Sequence, residues 1–351
     1  MSRVDGFAKV TGQAKYAAEF QVNNVAYGYL AQSPIAKGII KSIDTSAAEK
    51  AAGVIKVFTH LNSVKTKAKD NAFTALQSDK IVFSDQPIAL VVAETFEQAR
   101  HAARLVKAEY AEEKHQTETE KAQTIPAPAG FGGVSKPRGN PQKAFQDSPI
   151  KIEAEYTIPI EHHNPMEPHA AIAVWEGDKL MMFDKSQGVQ GVQQHLAQSF
   201  GIVPANVSVM SPFVGGAFGA ALNPNYYPFL TAMAAREIKR PVKVNYTRRQ
   251  MFTGHGYRPY TWQKVSIGAN KDGKLQSIIH EAVGNSSTFE DFTENPNSFG
   301  RTLYNCPNYD TPYKLAKTDL PTPTLDARAG RGFRRVCARI RSGRTRLRTE
   351  N

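Results

Sequence analysis

The sequence predicts an α+β protein, because its second half contains strand-like runs that are joined by tight turns. Gly177-Asp178 separates a run at 170–175 from the next apolar run, and Asn270, Asp272 and Gly273 separate 262–267 from 275–282. Short turns of Gly, Asn and Asp between alternating runs are typical of antiparallel hairpins. We therefore expect an α+β domain here rather than a doubly wound parallel sheet.

The first part of the chain alternates short strands with helical stretches. Residues 95–107 have Phe96, Ala99, Ala103 and Val106 at helical spacing and predict an amphipathic helix. The other elements expected before residue 112 are strands at 26–33, 54–59 and 88–93 and a short helix at 46–52.

Charged residues and then prolines and glycines dominate residues 113–149, which indicates a linker. A second domain is expected from residue 150, with strands at 151–156 and 170–175. Residues 190–200 predict a helix that ends at Gly201, the usual C-terminal glycine.

Composition excludes several classes of protein. No apolar run reaches about 18 residues, and no signal peptide is recognisable at the N-terminus, so no membrane partner is expected. Cys306 and Cys337 are too few and too far apart for a disulfide framework, a zinc site or an iron–sulfur cluster.

The net charge of +12 is concentrated at the end of the chain. Residues 325–351 contain nine arginines and two acidic residues, a net +7 of that total. Elsewhere lysine is the usual base. A basic protein can bind nucleic acid, but this placement removes most of that argument, and we expect no nucleic-acid partner. A genuine RNA-binding or membrane-binding arginine tail is the alternative.

Residues Gly215, Gly216, Ala217, Phe218 and Gly219 form a glycine-rich turn between a strand-like run at 207–214 and a helix-like run at 226–239. Such a turn lets main-chain amides approach a ligand closely, and amides at the start of a following helix favour an anionic group. Close packing of a strand on a helix can require the same glycines, so the turn alone does not identify a site.

Four separated segments together resemble one family. They are Arg3-Val4-Asp5-Gly6 with 9–16, Gln86-Pro87 with 88–95, Met166-Glu167-Pro168-His169 with 170–175, and Ser186-Gln187 followed by 200–204 and the glycine turn. In this order and spacing they resemble the molybdenum-binding subunit of the xanthine dehydrogenase and aldehyde oxidase enzymes. The segments 166–169 and 319–321 are most similar to the bacterial aldehyde oxidoreductase branch.

The resemblance implies an α/β-hammerhead domain at 1–112, the linker at 113–149 and the N-terminal part of a molybdenum cofactor-binding α+β domain at 150–324. It implies a molybdenum-pterin cofactor, molybdopterin in its cytosine dinucleotide form, that oxidises aldehydes or N-heterocycles such as xanthine. Electrons would pass to an iron–sulfur subunit with 2Fe-2S clusters and to an FAD subunit. Location in the cytoplasm is expected, with co-export to the periplasm as the alternative.

Site residues carried over from the family are Gln187 and the glycine turn. Gln187 corresponds to the glutamine that faces the oxo group of molybdenum, which suits a neutral amide donor. Gly215, Gly216, Ala217, Phe218 and Gly219 correspond to the turn that contacts the cofactor. Ala217 replaces a glycine of the family pattern, which is tolerable if its φ is negative. Ala220-Ala221 replace a glycine and a charged residue, which puts the substrate in doubt.

The protein supplies no metal ligand in this family. Glu161, His162, His163, Glu167 and His169 are residue types that bind zinc or iron, but their spacing lacks a helical i, i+4 pair and favours a loop instead.

The arginine-rich end is predicted to be out of frame. Back-translation of residues 325–333 with GC-rich codons, shifted by one nucleotide, permits a segment like the one that follows Asp319-Leu320-Pro321 in the family. The family's general-base glutamate would then be absent, and the isolated chain is expected to be inactive. A catalytically inactive fragment that serves as a folding or subunit-interaction module is the second functional hypothesis.

Overall fold

The structure is a computed structural model that describes residues 3–68, 73–128, 136–294, 296–297 and 300–324. The predicted basic tail at 325–351 and residues 129–135 of the predicted linker lie outside the described residues.

The described residues contain both α-helices and β-strands. The helices are α1 (Gly6–Val10), α2 (Ser46–Glu49), α3 (Phe96–Ala103), α4 (Pro141–Asp147), α5 (Val189–Phe200), α6 (Tyr226–Ile238) and α7 (Gly300–Leu303). The strands are β1 (Ala26–Gln32), β2 (Gly38–Asp44), β3 (Val54–Thr59), β4 (Lys80–Ile81), β5 (Pro87–Ala93), β6 (Lys107–Glu112), β7 (Thr124–Pro126), β8 (Ile150–Ile158), β9 (Ala170–Glu176), β10 (Lys179–Asp184), β11 (Val207–Met210), β12 (Val242–Asn245), β13 (Thr261–Ala269), β14 (Leu275–Ser287), β15 (Asn308–Asp310) and β16 (Tyr313–Thr318).

The chain forms two compact units, each built from two separated stretches. The first unit contains Met1–His115 and His163–Gly256, and the second contains Gln116–His162 and Tyr257–Asn351. Within the described helices none is long and apolar enough to cross a membrane.

The first unit is built on a seven-stranded mixed sheet in the order β11-β10-β9-β12-β1-β5-β3. All seven residues of β5 are buried, as expected for a strand that is covered on both faces. Helix α6 buries nine consecutive residues from Tyr227 to Ala235, and these pack with strand residues in the same core cluster. A second sheet of three strands, β4-β2-β6, completes the unit.

The second unit is a six-stranded sheet. Five strands follow the order β7-β16-β14-β13-β8, and β15 pairs with β14. β13 and β14 form the predicted hairpin over nine registered pairs. The alternation of half-buried and exposed residues along β8 is that of a sheet with one face in solvent.

The structure confirms the predicted mixture of helices and mainly antiparallel strands. The hairpin turn at Gly177 has φ of 59°, and Gly201 ends α5 with φ of 62°. The predicted helix at 95–107 is shorter, because Lys107 begins β6 and pairs with Asp44 of β2. The predicted linker contains β7 and α4 within its described residues. The predicted domain limits stay a prediction.

Candidate functional site

Strand directions bring three segments of the first unit to one edge of the seven-stranded sheet. β10 and β11 are parallel, with Phe183 opposite Met210, so the residues that follow both strands emerge at the same edge. β9 is antiparallel to β10, with Ala171 opposite Asp184, so the residues that precede β9 arrive there too. Gln187, the glycine turn and the segment around Glu167 are therefore neighbours.

A pair of serines links the ends of the two parallel strands. Ser186 N donates to Ser211 Oγ at 3.2 Å, and Ser211 Oγ donates to Ser186 O at 3.1 Å. This reciprocal pair fixes the chain at the point where Gln187 leaves β10.

Gln187 contacts the glycine turn directly. Its Oε1 accepts hydrogen bonds from Gly219 N at 3.2 Å and Ala221 N at 3.3 Å, and its own N donates to Ala221 O at 2.8 Å. Two N–H donors on one side require the carboxamide oxygen there, so the side-chain NH₂ points away. Gln187 is exposed, and among the described residues none accepts from that NH₂ group.

The turn itself has an irregular main chain. Gly216, Phe218 and Gly219 have φ of 86°, 57° and 103°, in the left-handed region that favours glycine. For Phe218 this conformation costs about 1–2 kcal/mol. Phe218 is also 48% exposed, so burial of its ring offsets little of that cost. Ala217 does not have a positive φ. The turn therefore accommodates its methyl group in place of the glycine of the family pattern.

The middle of the turn has unused hydrogen-bond donors. No described residue accepts from the main-chain N–H of Gly216, Ala217 or Phe218. Successive N–H groups in alternating conformations can bind anionic or electron-rich groups. Residues 220–225 separate the turn from α6, so any ligand would meet the amides of the turn itself, and the expected contribution from the start of the helix is absent.

Glu167 holds the other end of the turn. Its Oε2 accepts from Gly215 N at 2.7 Å, and its N donates to Gly215 O at 3.1 Å. Burial raises the pKa of Glu167, although the Gly215 amide and the nearby Lys185 ammonium favour the carboxylate. In the sequence, Glu167 had no role beyond its place in the segment 166–169 and in a metal site that the residue spacing argued against.

A buried polar chain lies beside this edge. Tyr227 Oη donates to Asp184 Oδ1 at 2.8 Å, and His169 Nδ1 lies 3.2 Å from Tyr227 Oη. Because the tyrosine proton points to Asp184, His169 Nδ1 acts as donor. His169 is fully buried, and burial lowers its pKa well below the usual value.

Burial also shifts the two charged residues that end β10. It raises the pKa of Asp184 to about 7 against the hydrogen bond from Tyr227. It lowers the pKa of Lys185 to about 8, while the adjacent acids oppose the shift. Lys185 Nζ donates to Glu167 O at 2.5 Å. Such shifts cluster at functional sites but also occur in structural networks.

The histidines and acids between residues 161 and 169 do not converge. Glu161 pairs with Arg258 at 3.0 Å in the second unit, whereas His169 packs its ring 4.6 Å from that of His255 in the first. Over the described ranges no group of three or more His, Cys, Asp or Glu side chains could hold a metal ion.

The structure thus places Gln187 against the glycine turn at 215–219, while the role of these residues in cofactor binding stays a prediction. Ala220 and Ala221 are both buried. Sequence patterns missed the pairing of Glu167 with Gly215 and the chain of Asp184, Tyr227 and His169. A buried strand followed by Asp184-Lys185 was the available signal, since acidic and basic residues next to an apolar run need partners.

Two family models match the chain. The molybdopterin cofactor-binding domain matches residues 123–339. The α/β hammerhead domain of aldehyde oxidase and xanthine dehydrogenase matches residues 11–114. These matches confirm the predicted fold, in which a hammerhead domain precedes a molybdopterin-binding domain.

Curated and solved relatives agree with these models. The aldehyde oxidoreductase molybdenum-binding subunit PaoC of Escherichia coli (strain K12) is 40% identical over 325 residues, which cover 91% of this chain and 44% of PaoC. The aldehyde oxidoreductase structure from Desulfovibrio gigas has a TM-score of 0.78 at 24% identity and covers 92% of this chain and 39% of that one. CO dehydrogenase from Oligotropha carboxidovorans has a TM-score of 0.81 at 22% identity, with 95% and 46% covered.

The chain spans a little under half the length of PaoC. Both parts of that span, the hammerhead and the cofactor-binding segment, are matched by models of one family. The chain therefore belongs to the aldehyde oxidase and xanthine dehydrogenase family, as a portion of its molybdenum-binding subunit.

Proposed function

We propose that this chain forms the part of a molybdenum hydroxylase subunit in which Gln187 and the glycine turn bind the molybdenum-pterin cofactor. The observation that carries the proposal is a set of hydrogen-bond donors without described acceptors. They are the N–H groups of Gly216, Ala217 and Phe218 and the side-chain NH₂ of Gln187.

These donors suit the cofactor. An oxo group and a pterin present oxygen and nitrogen acceptors, and neutral amides can donate to them without adding charge to the metal centre. The cofactor, when bound, supplies the redox chemistry that oxidises the substrate. The residues of this chain orient it, and none of the proposed contacts requires a side-chain ligand to the metal.

Aldehydes are the proposed substrate class. PaoC, an aldehyde oxidoreductase subunit, is 40% identical, whereas a putative xanthine dehydrogenase subunit of the same organism is 27% identical. N-heterocycles such as xanthine are the second substrate class. Ala220 and Ala221 are buried and offer no side chain to either substrate.

The proposal includes the cytosine dinucleotide form of the cofactor and partner subunits with 2Fe-2S clusters and FAD. Family resemblance supports both. Nucleotide analysis of acid-released cofactor tests the first, since cytidine monophosphate should appear in equal amount to the pterin. Co-purification from the native host tests the second by the visible absorbance of iron–sulfur and flavin groups.

Substitution of Gln187 separates its two contacts. Gln187→Glu retains oxygens that accept from Gly219 and Ala221 but loses the NH₂ donor. Molybdenum by elemental analysis and pterin by fluorescence after oxidation would be measured in the chain purified from a host that makes the cofactor. We expect Gln187→Glu to lower both by at least about tenfold, because one hydrogen bond to the cofactor is lost and a negative charge is placed beside its acceptors.

Gln190→Glu is the matched control. Gln190 is exposed on α5, three residues from Gln187, and the same change there should leave the cofactor content unaltered. Equal content in the two variants would contradict the donor role of Gln187. A wild-type chain with neither molybdenum nor pterin would overturn the proposal of cofactor binding.

A further inference from the structure

Glu167 and Gly215 form a closed pair in the first unit. The carboxylate accepts from Gly215 N at 2.7 Å, and Glu167 N donates to Gly215 O at 3.1 Å. The two residues are 48 positions apart in sequence, so this pair joins two distant segments. An amide bond to a charged acceptor is about twice as strong as one between neutral groups.

The pair leaves no space for a side chain at position 215. A Cβ atom on Gly215 would lie 2.7 Å from Glu167 Cβ and 3.4 Å from Tyr16 Cε1. In proteins a Cβ atom essentially never lies within 3.0 Å of a heavy atom of a distant residue. Glycine at 215 is therefore explained by contact with Glu167, and its φ is not among the positive values.

Glu167 is itself fixed on the loop that precedes β9. Lys185 Nζ donates to its carbonyl oxygen at 2.5 Å. Arg248 donates to Pro165 O at 2.7 Å and to Met166 O at 2.9 Å. Lys185 and Arg248 thus hold the main chain at residues 165–167, from which the carboxylate of Glu167 reaches the turn.

The two ends of the turn are thus held by different side chains, and the donors without acceptors lie between them. Gln187 Oε1 accepts from Gly219 N, and Glu167 Oε2 accepts from Gly215 N. Phe218, the non-glycine residue of the turn with a left-handed main chain, stores strain that surrounding contacts must offset. The Glu167 carboxylate is the charged contact among these.

We propose that Glu167 is a positioning residue that anchors the Gly215 end of the glycine turn. Together with Gln187 it keeps the N–H groups of residues 216–218 available to a ligand. That this ligand is the molybdenum-pterin cofactor rests on the proposed function, whereas the anchoring can be measured without any cofactor.

Amide hydrogen exchange in the ¹⁵N-glycine-labelled chain tests the anchor. Gly215 should be protected by Glu167, Gly219 by Gln187, and Gly216 should exchange fast. In Glu167→Ala we expect the exchange of Gly215 to accelerate by at least about tenfold, the factor for one hydrogen bond to a charged acceptor. Glu167→Gln retains an acceptor oxygen and should restore most of the protection, which a loss of folding would not.

Asp44→Ala is the matched control. Asp44 Oδ1 accepts from Ser46 N at 2.9 Å in the same unit and is not bonded to the turn, so Gly215 should exchange as in the wild type. Unchanged exchange of Gly215 in Glu167→Ala overturns the proposal. Equal acceleration in Glu167→Ala and Asp44→Ala also overturns it, because the effect would then be a general one.

Molybdenum and pterin content of the same variants distinguishes the two proposals. If the wild-type chain carries cofactor, Glu167→Ala should lower its content by at least about tenfold and Glu167→Gln by less. A wild-type chain without cofactor in which Gly215 still responds to Glu167→Ala sinks the proposed function and supports the anchor. If Glu167→Ala keeps its full cofactor content and its Gly215 exchanges as in the wild type, the proposed function is supported and the anchor is overturned.

Discussion

The hydroxyl of Tyr227 donates to Asp184 Oδ1 at 2.8 Å in the interior of the first unit. Both residues are almost fully buried. Water cannot solvate the carboxylate there, and hydrogen bonds from Tyr227 and from the Lys185 main chain replace only part of its hydration shell. Burial consequently outweighs the tyrosine bond, and the pKa of Asp184 rises to about 7.

This shift predicts that the contribution of Asp184 to the stability of the first unit falls as pH rises from 4 to 7. The folded pKa of Asp184 is above its ordinary value of 3.8, so the contribution is fully present below about pH 4 and is lost as pH rises through 7. The difference reaches about 4 kcal/mol. Asp184→Asn stays neutral, still accepts from Tyr227, and should abolish this loss. Urea unfolding in a Trp262→Phe background, where the fluorescence of Trp175 in β9 reports the first unit, measures it.

One control variant and a limited pH range make that experiment specific to Asp184. Asp178→Asn changes an exposed aspartate of the same unit that pairs with Arg236, and should leave the slope unchanged. Lys185, with a pKa lowered to about 8, acts in the opposite direction at higher pH, so the comparison is confined to pH 4–7. Equal slopes in wild type and Asp184→Asn would refute the assigned pKa.

Removal of the Tyr227 hydroxyl should destabilise the first unit. Tyr227→Phe leaves Asp184 and His169 without their shared partner, at a cost of about 1–3 kcal/mol. The buried hydroxyl of Tyr226, the preceding residue, interacts with the Tyr246 hydroxyl without a hydrogen bond of good geometry, so Tyr226→Phe should cost less than Tyr227→Phe. Equilibrium unfolding at pH 7 compares the two, and equal effects would show that the Tyr227 bond is not special.

The second unit should respond to pH in the opposite direction. Burial lowers the pKa of His280 to about 4, while Gln263 Oε1 accepts from its Nε2 at 3.0 Å. A lowered folded pKa gives stability that is present above pH 6.5 and is lost as pH falls through 4, by up to about 3 kcal/mol.

His280→Gln should remove that acid-dependent loss, and His162→Gln, at an exposed position of the same unit, should leave it in place. The sequence contains two tryptophans, and Trp262 lies in β13. In Trp175→Phe, Trp262 is the remaining tryptophan, so its fluorescence reports the unfolding of the second unit. A second unit whose stability is flat between pH 4 and 6.5 would contradict the shift of His280.

Local patterns predicted much of the secondary structure. The helix that begins after Thr95 does so because the Thr95 side chain accepts from Gln98 N and Gln98 returns a bond to Thr95 N, a capping box visible in sequence. Gly201 ended α5 as expected. The β6 strand at Lys107 was missed because its formation depends on β2, a distant partner.

The site was predictable only in part. Gln187 and the glycine turn were found from family resemblance, and their contact depends on β10 and β11 being parallel. The contact between Glu167 and Gly215 could not be predicted, because no sequence pattern indicates that a carboxylate will pair with a glycine 48 residues away.

Gly215→Ala should destabilise the first unit, because the new Cβ would lie 2.7 Å from Glu167 Cβ and one of the two segments must move. Overpacking of this kind costs about 1–3 kcal/mol. Gly191 in α5 is the matched position, since its nearest contact to a new Cβ is 4.0 Å from Pro224 and alanine favours a helix by about 0.5–1 kcal/mol. Opposite signs are therefore expected in thermal unfolding of Gly215→Ala and Gly191→Ala. A stabilised Gly215→Ala would show that the Glu167 segment yields freely, which its contacts with Lys185 and Arg248 argue against.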